Sequence, residues 1–61
     1  MFDNVKAGKQ IALLRKNLEL TQEDVAEKLN ISPQAVSKWE NGHTMPELSL
    51  LVGLSELLGL R

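Results

Sequence analysis

The chain has 61 residues, of which 43% are hydrophobic, and its net charge at pH 7 is −1. A chain of this length forms one small domain that buries only about 60% of the surface its unfolded form exposes, so we expect no internal catalytic cavity. Cysteine is absent and His43 is the single histidine, which excludes disulfides and leaves too few ligands for a thiolate or ordinary zinc site.

The first predicted helix runs from about Asn4 to Asn17. Asp3 or Asn4 is expected to cap it, and Gly8 in its middle marks the close approach of another backbone. Apolar residues recur along it at steps of three and four, which is the period of an amphipathic helix. These residues are Val5, Ala7, Ile11, Leu14 and Leu18.

The second predicted helix begins at Gln22. Thr21 precedes it and stands three residues before an acidic residue, with apolar residues flanking the cap, which is a helix-start pattern. Asn30 then ends the helix, because asparagine tolerates the left-handed backbone conformation found after many helices. The inward residues, predicted to lie in the core, are Val25, Ala26 and Leu29.

The third predicted helix begins at Pro33, with Ser32 as its N-cap, and ends near Asn41 and Gly42. Helical phase divides its residues between two faces. The inward face carries Val36, Trp39 and Glu40, of which the first two belong to the predicted core. The outward face carries Pro33, Gln34, Ser37, Lys38 and Asn41.

The fourth predicted helix opens at Pro46 and Glu47 and runs to about Leu58, with Gly59 as its stop. Leucines surround most of its circumference, more than a small body can bury, so we expect an apolar patch that serves in self-association. The alternative is that a fifth helix or a downstream domain of a longer protein covers these leucines. No segment has the alternating pattern of a strand. The sequence therefore predicts an all-α fold.

The second and third helices, joined by a short turn, form a helix-turn-helix, whose second helix can enter a DNA major groove. Short polar side chains on the outward face suit contacts with base edges and phosphates. A solvated helix that binds nothing shows the same polarity, so the pattern alone leaves both interpretations open.

Charge and hydropathy add two further expectations. A net charge of −1 argues weakly against a nucleic-acid partner. The position of the charges matters more than their sum, and all the lysines and arginines except Arg61 lie in the first two thirds of the chain. No apolar run approaches the roughly 20 residues of a membrane span, and no signal-peptide pattern is present. We expect a cytoplasmic protein that binds no membrane, metal or cofactor.

The stretch LTQEDVAEKLNISPQAVSKWENG resembles the helix-turn-helix of the phage-repressor family, the lambda Cro and repressor relatives also called the XRE type. The following TMPELSLLVGLSELLGL resembles the fourth helix of that family. The resemblance covers nearly the whole chain. It implies a small lambda-repressor-like bundle of four helices, or five in a longer protein, with the helix-turn-helix at about 22–41 in a single domain, 1–61. It also implies a bacterial or phage type of protein associated with the nucleoid.

The resemblance assigns roles to the outward residues of the helix-turn-helix. Gln34 would bond adenine through two hydrogen bonds, Lys38 would donate to guanine, and Pro33 would offer apolar contact to a thymine methyl. The base-reading positions it implies are Pro33, Gln34, Ser37 and Lys38. The phosphate contacts it implies are Gln22, which would also brace the third helix, Ser32 and Asn41.

The resemblance further implies an internal ion pair between Arg15 and Glu40, the alternative being two unrelated surface charges of little energetic value. Trp39 is expected in the core rather than stacked on a base, and His43 is expected to be solvated. Glu19 and Asn30 stand where many relatives carry glycine. Asn30 is a tolerable replacement, but a left-handed Glu19 would be strained, so the first helix is expected to end differently, near Asn17.

These observations favour a sequence-specific DNA-binding transcriptional regulator, a repressor, over an enzyme. Its expected partners are double-stranded DNA with a near-palindromic site and a second copy bound through the fourth helix or a missing C-terminal segment. An antitoxin remains open, as does a protein-interaction module, which the acidic second helix favours. A serine-histidine-acid relay through His43 would lack a pocket, so no catalysis is expected.

Overall fold

The computed structural model describes residues 3–59, which form four α-helices and contain no strand. In chain order the helices are α1 (Asn4–Asn17), α2 (Gln22–Leu29), α3 (Pro33–Glu40) and α4 (Leu48–Leu58). The predicted all-α class is confirmed, and helices α1, α2 and α3 begin and end where the sequence placed them to within a residue or two.

Side-chain caps explain why the first three helices begin where they do. The Asp3 carboxylate accepts the first free N–H groups of α1. The Thr21 hydroxyl accepts the Asp24 N–H at 3.0 Å and the Asp24 carboxylate accepts the Thr21 N–H at 2.8 Å, which completes a capping box. The Ser32 hydroxyl accepts the Ala35 N–H at 3.3 Å. Each cap satisfies backbone donors that have no partner within the helix.

Helices α1, α2 and α3 each end in the same type of turn. A residue with a left-handed backbone follows the helix, and the N–H of the next residue donates to a carbonyl of the last helical turn. The left-handed residues are Glu19 (φ 59°), Asn30 (φ 59°) and Gly42 (φ 77°). The expectation that the chain would avoid this conformation at Glu19 is wrong, although α1 does end at Asn17. The Leu20 N–H donates to the Arg15 carbonyl at 3.0 Å, and this closing bond holds Glu19 in place.

Helix α4 begins at Leu48, two residues later than predicted. Pro46 is buried, and Glu47 keeps an extended backbone at φ −68° and ψ 166°, so it serves as the N-cap instead of the first helical residue. The predicted end holds, because Leu58 is the last helical residue and Gly59 follows with φ 72°.

The four helices share one hydrophobic core. Its buried side chains are Ile11, Val25, Ala26, Val36, Trp39, Leu54 and Leu58. Leu29, also predicted there, is only partly buried at its edge, because it is the last residue of α2 and lies against Gly53, which has no side chain to cover it. Trp39 is 3% exposed, so it packs in the core and has no free face for a base.

The buried face of α1 is shorter than its apolar pattern suggested. Val5 and Leu18 are 50% and 49% exposed, because they lie at the two ends of the helix, beyond the residues that its neighbours cover. The buried positions between them are Gly8, Ile11 and Arg15.

Gly8 lies where α1 crosses the end of α3. A β-carbon at this position would overlap the Trp39 carbonyl oxygen and would lie 2.9 Å from the Glu40 carbonyl oxygen. The predicted close approach of another backbone is therefore confirmed. This contact sets how the C-terminal end of α3 sits on the rest of the molecule.

Candidate nucleic-acid interface

Helix α3 divides sharply into a buried and a solvent-facing side. Val36 is fully buried and Trp39 nearly so. Gln34, Lys38 and Asn41 are exposed on the other side, while Ser37 is half-buried among them. We call the set formed by Gln34, Ser37, Lys38 and Asn41 the polar stripe. Its members follow steps of three, one and three residues, which keeps them on one face of a helix with 3.6 residues per turn.

The polar stripe has unused hydrogen-bonding groups. Within residues 3–59 the Gln34 and Lys38 side chains form no hydrogen bond, whereas the Asn41 Nδ2 donates to the Ser37 Oγ at 3.3 Å. The adjacent Pro33 is half-buried and lies about 100° around the helix from Gln34. The stripe therefore offers both donors and acceptors to a ligand, with Pro33 at its border.

The two residues assigned to phosphate at the helix starts lie in different surroundings. Ser32 is exposed, and its hydroxyl accepts a bond from α3 and so keeps its own hydrogen to donate. Gln22 is half-buried, and its Nε2 donates to the Glu40 Oε1 at 3.0 Å. Gln22 thus ties the start of α2 to the end of α3 and retains its carbonyl oxygen and a second N–H for other partners.

Arg15 and Glu40 form an ion pair with two hydrogen bonds between α1 and α3. Arg15 Nε donates to Glu40 Oε2 at 2.6 Å and Arg15 Nη2 donates to Glu40 Oε1 at 3.0 Å. The remaining Arg15 Nη1 donates to the Leu20 carbonyl at 2.8 Å. The side chains are only 11% and 8% exposed. Every nitrogen of the guanidinium thus has a partner, as burial of a charge requires.

This environment shifts the ionisation of both groups. Burial opposes the charged form of Glu40, but hydrogen bonds from Arg15 and Gln22 and the positive charge of Arg15 outweigh it, so the pKa of Glu40 lies below its usual value. The hydrogen bond to Glu40 raises the pKa of Arg15 despite its burial. Glu40 therefore stays ionised, and Arg15 neutralises a carboxylate that would otherwise repel a nearby anion.

The exposed face of α2 is acidic. Glu23, Asp24 and Glu27 are all exposed there. The Thr21 backbone N–H, followed by the Thr21 hydroxyl, lowers the pKa of Asp24 by bonding its carboxylate form.

His43, in the turn after α3, is exposed, as expected. Among residues 3–59 no group of histidines and carboxylates is arranged to hold a metal ion.

Helix α4 leaves part of its apolar surface uncovered. Leu48, Leu51 and Val52 are 76%, 39% and 54% exposed, and their spacing places them on one face. We call these three residues the α4 apolar strip. A neighbouring face of the helix supplies Leu54 and Leu58 to the core. None of the helices within residues 3–59 has the length and apolar character to span a bilayer.

One side-chain contact at this surface had no place in the sequence-based expectations, and Gln22, which was expected to brace the third helix, has a partner that was not predicted. The bond between Ser37 and Asn41 has a readable signal, because residues four apart on a helix are neighbours. The choice of Glu40 as the partner of Gln22 has no local signal, since 18 residues separate them and only the packing of α2 on α3 brings them together.

Comparison with known proteins adds independent evidence. Residues 11–61 match the protein-family model described as "Helix-turn-helix". The chain is 42% identical over 55 residues to the HTH-type transcriptional regulator DicA of Escherichia coli K12, covering 90% of this chain and 41% of that protein. It is 34% identical over 58 residues to Multiprotein-bridging factor 1 of Candida albicans, covering 95% and 38% respectively. It is 33% identical over 57 residues to human Endothelial differentiation-related factor 1, covering 93% and 38%. The chain thus spans about two fifths of the length of these relatives.

Proposed function

This chain belongs to the XRE-type, lambda-repressor-like helix-turn-helix family, and on that premise we propose that it is the sequence-specific DNA-binding domain, 1–61, of a transcriptional regulator that acts as a repressor. The observation that carries the proposal is the polar stripe. It projects from α3, whose other face is buried in the core through Val36 and Trp39. A repressor of this kind acts by occupying promoter DNA in the cytoplasm, on the nucleoid.

In this proposal α3 enters the major groove and its outward residues distinguish base pairs. Gln34 donates to and accepts from an adenine edge, and Lys38 donates to guanine O6 and N7. Pro33 contributes apolar contact to a thymine methyl, and Ser37 bonds whichever base edge faces it. Each well-formed pair of bonds to a base is worth about 1–3 kcal/mol of discrimination.

Phosphate contacts position α3 in the groove. Gln22 and Ser32 stand at the starts of α2 and α3, and both keep donors free for a phosphate oxygen. The resemblance adds Asn41 at the other end of α3. Because Glu40 is neutralised by Arg15, the interior of this surface presents no uncompensated negative charge to the DNA backbone.

Two copies are proposed to bind a near-palindromic site. A two-fold dimer presents its two α3 helices about one DNA turn apart, roughly 34 Å, so the two half-sites repeat in opposite orientation. The α4 apolar strip supports this proposal, because exposed apolar surface of this kind marks association sites.

Selection of bound duplexes from a random pool at moderate salt tests the proposal. The unmodified chain should enrich a two-fold-symmetric motif, and the double variant Gln34→Ala/Lys38→Ala should lose or alter it. A matched variant, Lys9→Ala/Gln10→Ala, removes the same two residue types from exposed positions of α1 and should leave the motif unchanged. Enrichment of no motif by a folded chain would contradict the proposal.

A protein-interaction module that keeps the fold without binding DNA is the second candidate. The exposed acidic face of α2 and the net charge of −1 favour it, and one relative is named a multiprotein-bridging factor. An antitoxin would combine both roles, with an added surface for a toxin. Salt separates the two classes, because affinity for DNA falls steeply with ionic strength as counterions are released, whereas apolar association does not.

A further inference from the structure

We infer that two copies of this chain associate through opposite charges, with the outer face of α1 in one copy packed on the acidic face of α2 in the other. Both faces are exposed to solvent. The contact goes beyond the proposed function, because it uses neither the polar stripe nor the α4 apolar strip.

The outer face of α1 is basic and has an apolar centre. At about 100° per residue, its four exposed members fall within about 80° of arc and lie about 140–160° from the core residue Ile11. Leu13 is 54% exposed, and its neighbours along the helix surface are Lys9, four residues before it, and Lys16, three residues after it. We call the whole set the basic face of α1, and its members are Lys6, Lys9, Leu13 and Lys16.

The positive charge of this face has no partner within the described chain. Helix α1 contains no aspartate or glutamate. Its arginine, Arg15, is buried on the core side and paired with Glu40. The three lysines of the basic face form no hydrogen bond or ion pair within residues 3–59. Their charge is therefore available to attract a negatively charged partner.

The exposed face of α2 carries the opposite charge. Asp24 is engaged in the capping box with Thr21 and lies near Lys28, which offsets part of its charge. Glu23 and Glu27 are exposed and, in the part of the chain that the structure describes, bond to no other group. They stand four residues apart on one helix, where like charges repel each other. A cationic partner would relieve that repulsion.

Only one pairing of these faces between two copies is favourable. Two basic faces or two acidic faces would bring like charges together, whereas a basic face on an acidic face joins opposite charges and covers Leu13. Exposed ion pairs are individually weak and are screened by salt, so the contact forms at low ionic strength or where copies are held close together. Neighbouring sites on one DNA molecule would supply such proximity.

Sedimentation velocity at high protein concentration, without DNA, tests the contact. The average sedimentation coefficient of the unmodified chain should rise with concentration at a salt concentration of about 0.01 M. The rise should largely disappear at about 0.15 M, because the Debye length falls from about 30 Å to about 8 Å. Association through the α4 apolar strip would not show this dependence, since salt does not weaken apolar burial.

Reversal of charge identifies the two faces. The variants Lys9→Glu/Lys16→Glu and Glu23→Lys/Glu27→Lys should each lose the low-salt association, with folding checked by thermal melting. An equimolar mixture of the two variants should regain it, because each reversed face then meets an opposite charge on the other variant. Leu13→Ser should weaken the association of the otherwise unmodified chain.

The variant Lys28→Glu/Lys38→Glu is the matched control. It has the same net charge as Lys9→Glu/Lys16→Glu but leaves the basic face of α1 intact, so it should retain the association. A chain without salt-dependent association, or a mixture no more associated than its components, would overturn the inference. If such a chain also loses affinity for duplexes of every sequence alike in Lys9→Glu/Lys16→Glu, the basic face binds the DNA backbone instead. The sedimentation results do not depend on DNA binding, so the proposed function is tested separately.

Discussion

At the scale of single residues, the Glu40 carboxylate connects three helices. It accepts hydrogen bonds from Arg15 of α1 and Gln22 of α2 while belonging to α3. Removing one partner of a buried pair strands the other charge, so we expect Glu40→Ala to cost about 3–5 kcal/mol of unfolding free energy. Urea denaturation measures this. The double variant Arg15→Met/Glu40→Leu, which leaves no stranded charge, should recover much of the loss, and equal losses in both would contradict the argument.

The same carboxylate makes stability depend on pH. Because the pKa of Glu40 is lower in the folded state, its contribution is complete above its ordinary value of 4.5 and is lost as pH falls through the folded value. Asp24, whose pKa is also lowered, acts in the same direction. We expect the unfolding free energy to fall below about pH 4.5. Urea denaturation between pH 7 and pH 3 measures this. The unfolding free energy of the Arg15→Met/Glu40→Leu variant should fall less over this range than that of the unmodified chain.

Glu19 has a left-handed backbone, which is unfavourable for its residue type. Its left-handed φ of 59° costs a residue with a β-carbon about 1–2 kcal/mol. Glycine avoids this cost, but it loses more conformational entropy on folding, which cancels part of the gain. We therefore expect Glu19→Gly to raise the unfolding free energy by about 0.5–1 kcal/mol, measured by thermal melting. Asn30→Gly should gain less, because asparagine tolerates this conformation. A lower melting temperature for Glu19→Gly would show that the Glu19 side chain stabilises the fold by more than its left-handed backbone destabilises it.

At the scale of elements, the crossing of α1 over α3 depends on the missing side chain of Gly8. Alanine normally stabilises a helix interior by about 1 kcal/mol over glycine. At Gly8 a β-carbon would meet two backbone carbonyls, so Gly8→Ala should lower the melting temperature despite its higher helix propensity. Gly53→Ala in α4 is the matched control, because its β-carbon would meet only the tip of the Leu29 side chain, 3.0 Å away. Equal effects of the two substitutions would exclude the backbone contact as the cause.

The helices were predictable where their ends are determined locally. Thr21 and Ser32 cap α2 and α3 through contacts within three residues, so the sequence contains the whole signal. Helix α4 has no such cap, so no local contact specifies its start, and Pro46 is buried ahead of the helix. The left-handed Glu19 was not expected for a related reason, because the closing bond between Leu20 and Arg15 outweighs the intrinsic preference of glutamate.

Candidate-site residues were predictable to the extent that helical phase decides them. The exposed positions of the polar stripe follow from counting along α3, because its inward residues are apolar and regularly spaced. The partner of Gln22 required the packing of α2 against α3, which no local pattern encodes. The resemblance supplied Arg15 and Glu40 as a pair, and the structure adds hydrogen bonds from Arg15 to the Leu20 carbonyl and from Gln22 to Glu40.

At the scale of the whole molecule, the α4 apolar strip should govern association. Leu48 is 76% exposed and contributes little to the core, so we expect Leu48→Ser to leave the melting temperature nearly unchanged and to weaken dimer formation on a palindromic duplex. Analytical ultracentrifugation of the protein with and without DNA measures this. Leu18→Ser, at a residue 49% exposed at the end of α1, is the control and should not alter association. A monomer on DNA at high concentration would exclude the dimer.

The separation of faces on α3 has a consequence for engineering. Val36 and Trp39 carry the packing of this helix, whereas the polar stripe contributes nothing to the core. Surface substitutions of this kind usually change stability by less than about 0.5 kcal/mol. A library that randomises Gln34, Ser37, Lys38 and Asn41 together should therefore consist mostly of folded proteins, and the domain becomes a scaffold on which DNA preference is exchanged without redesigning the interior.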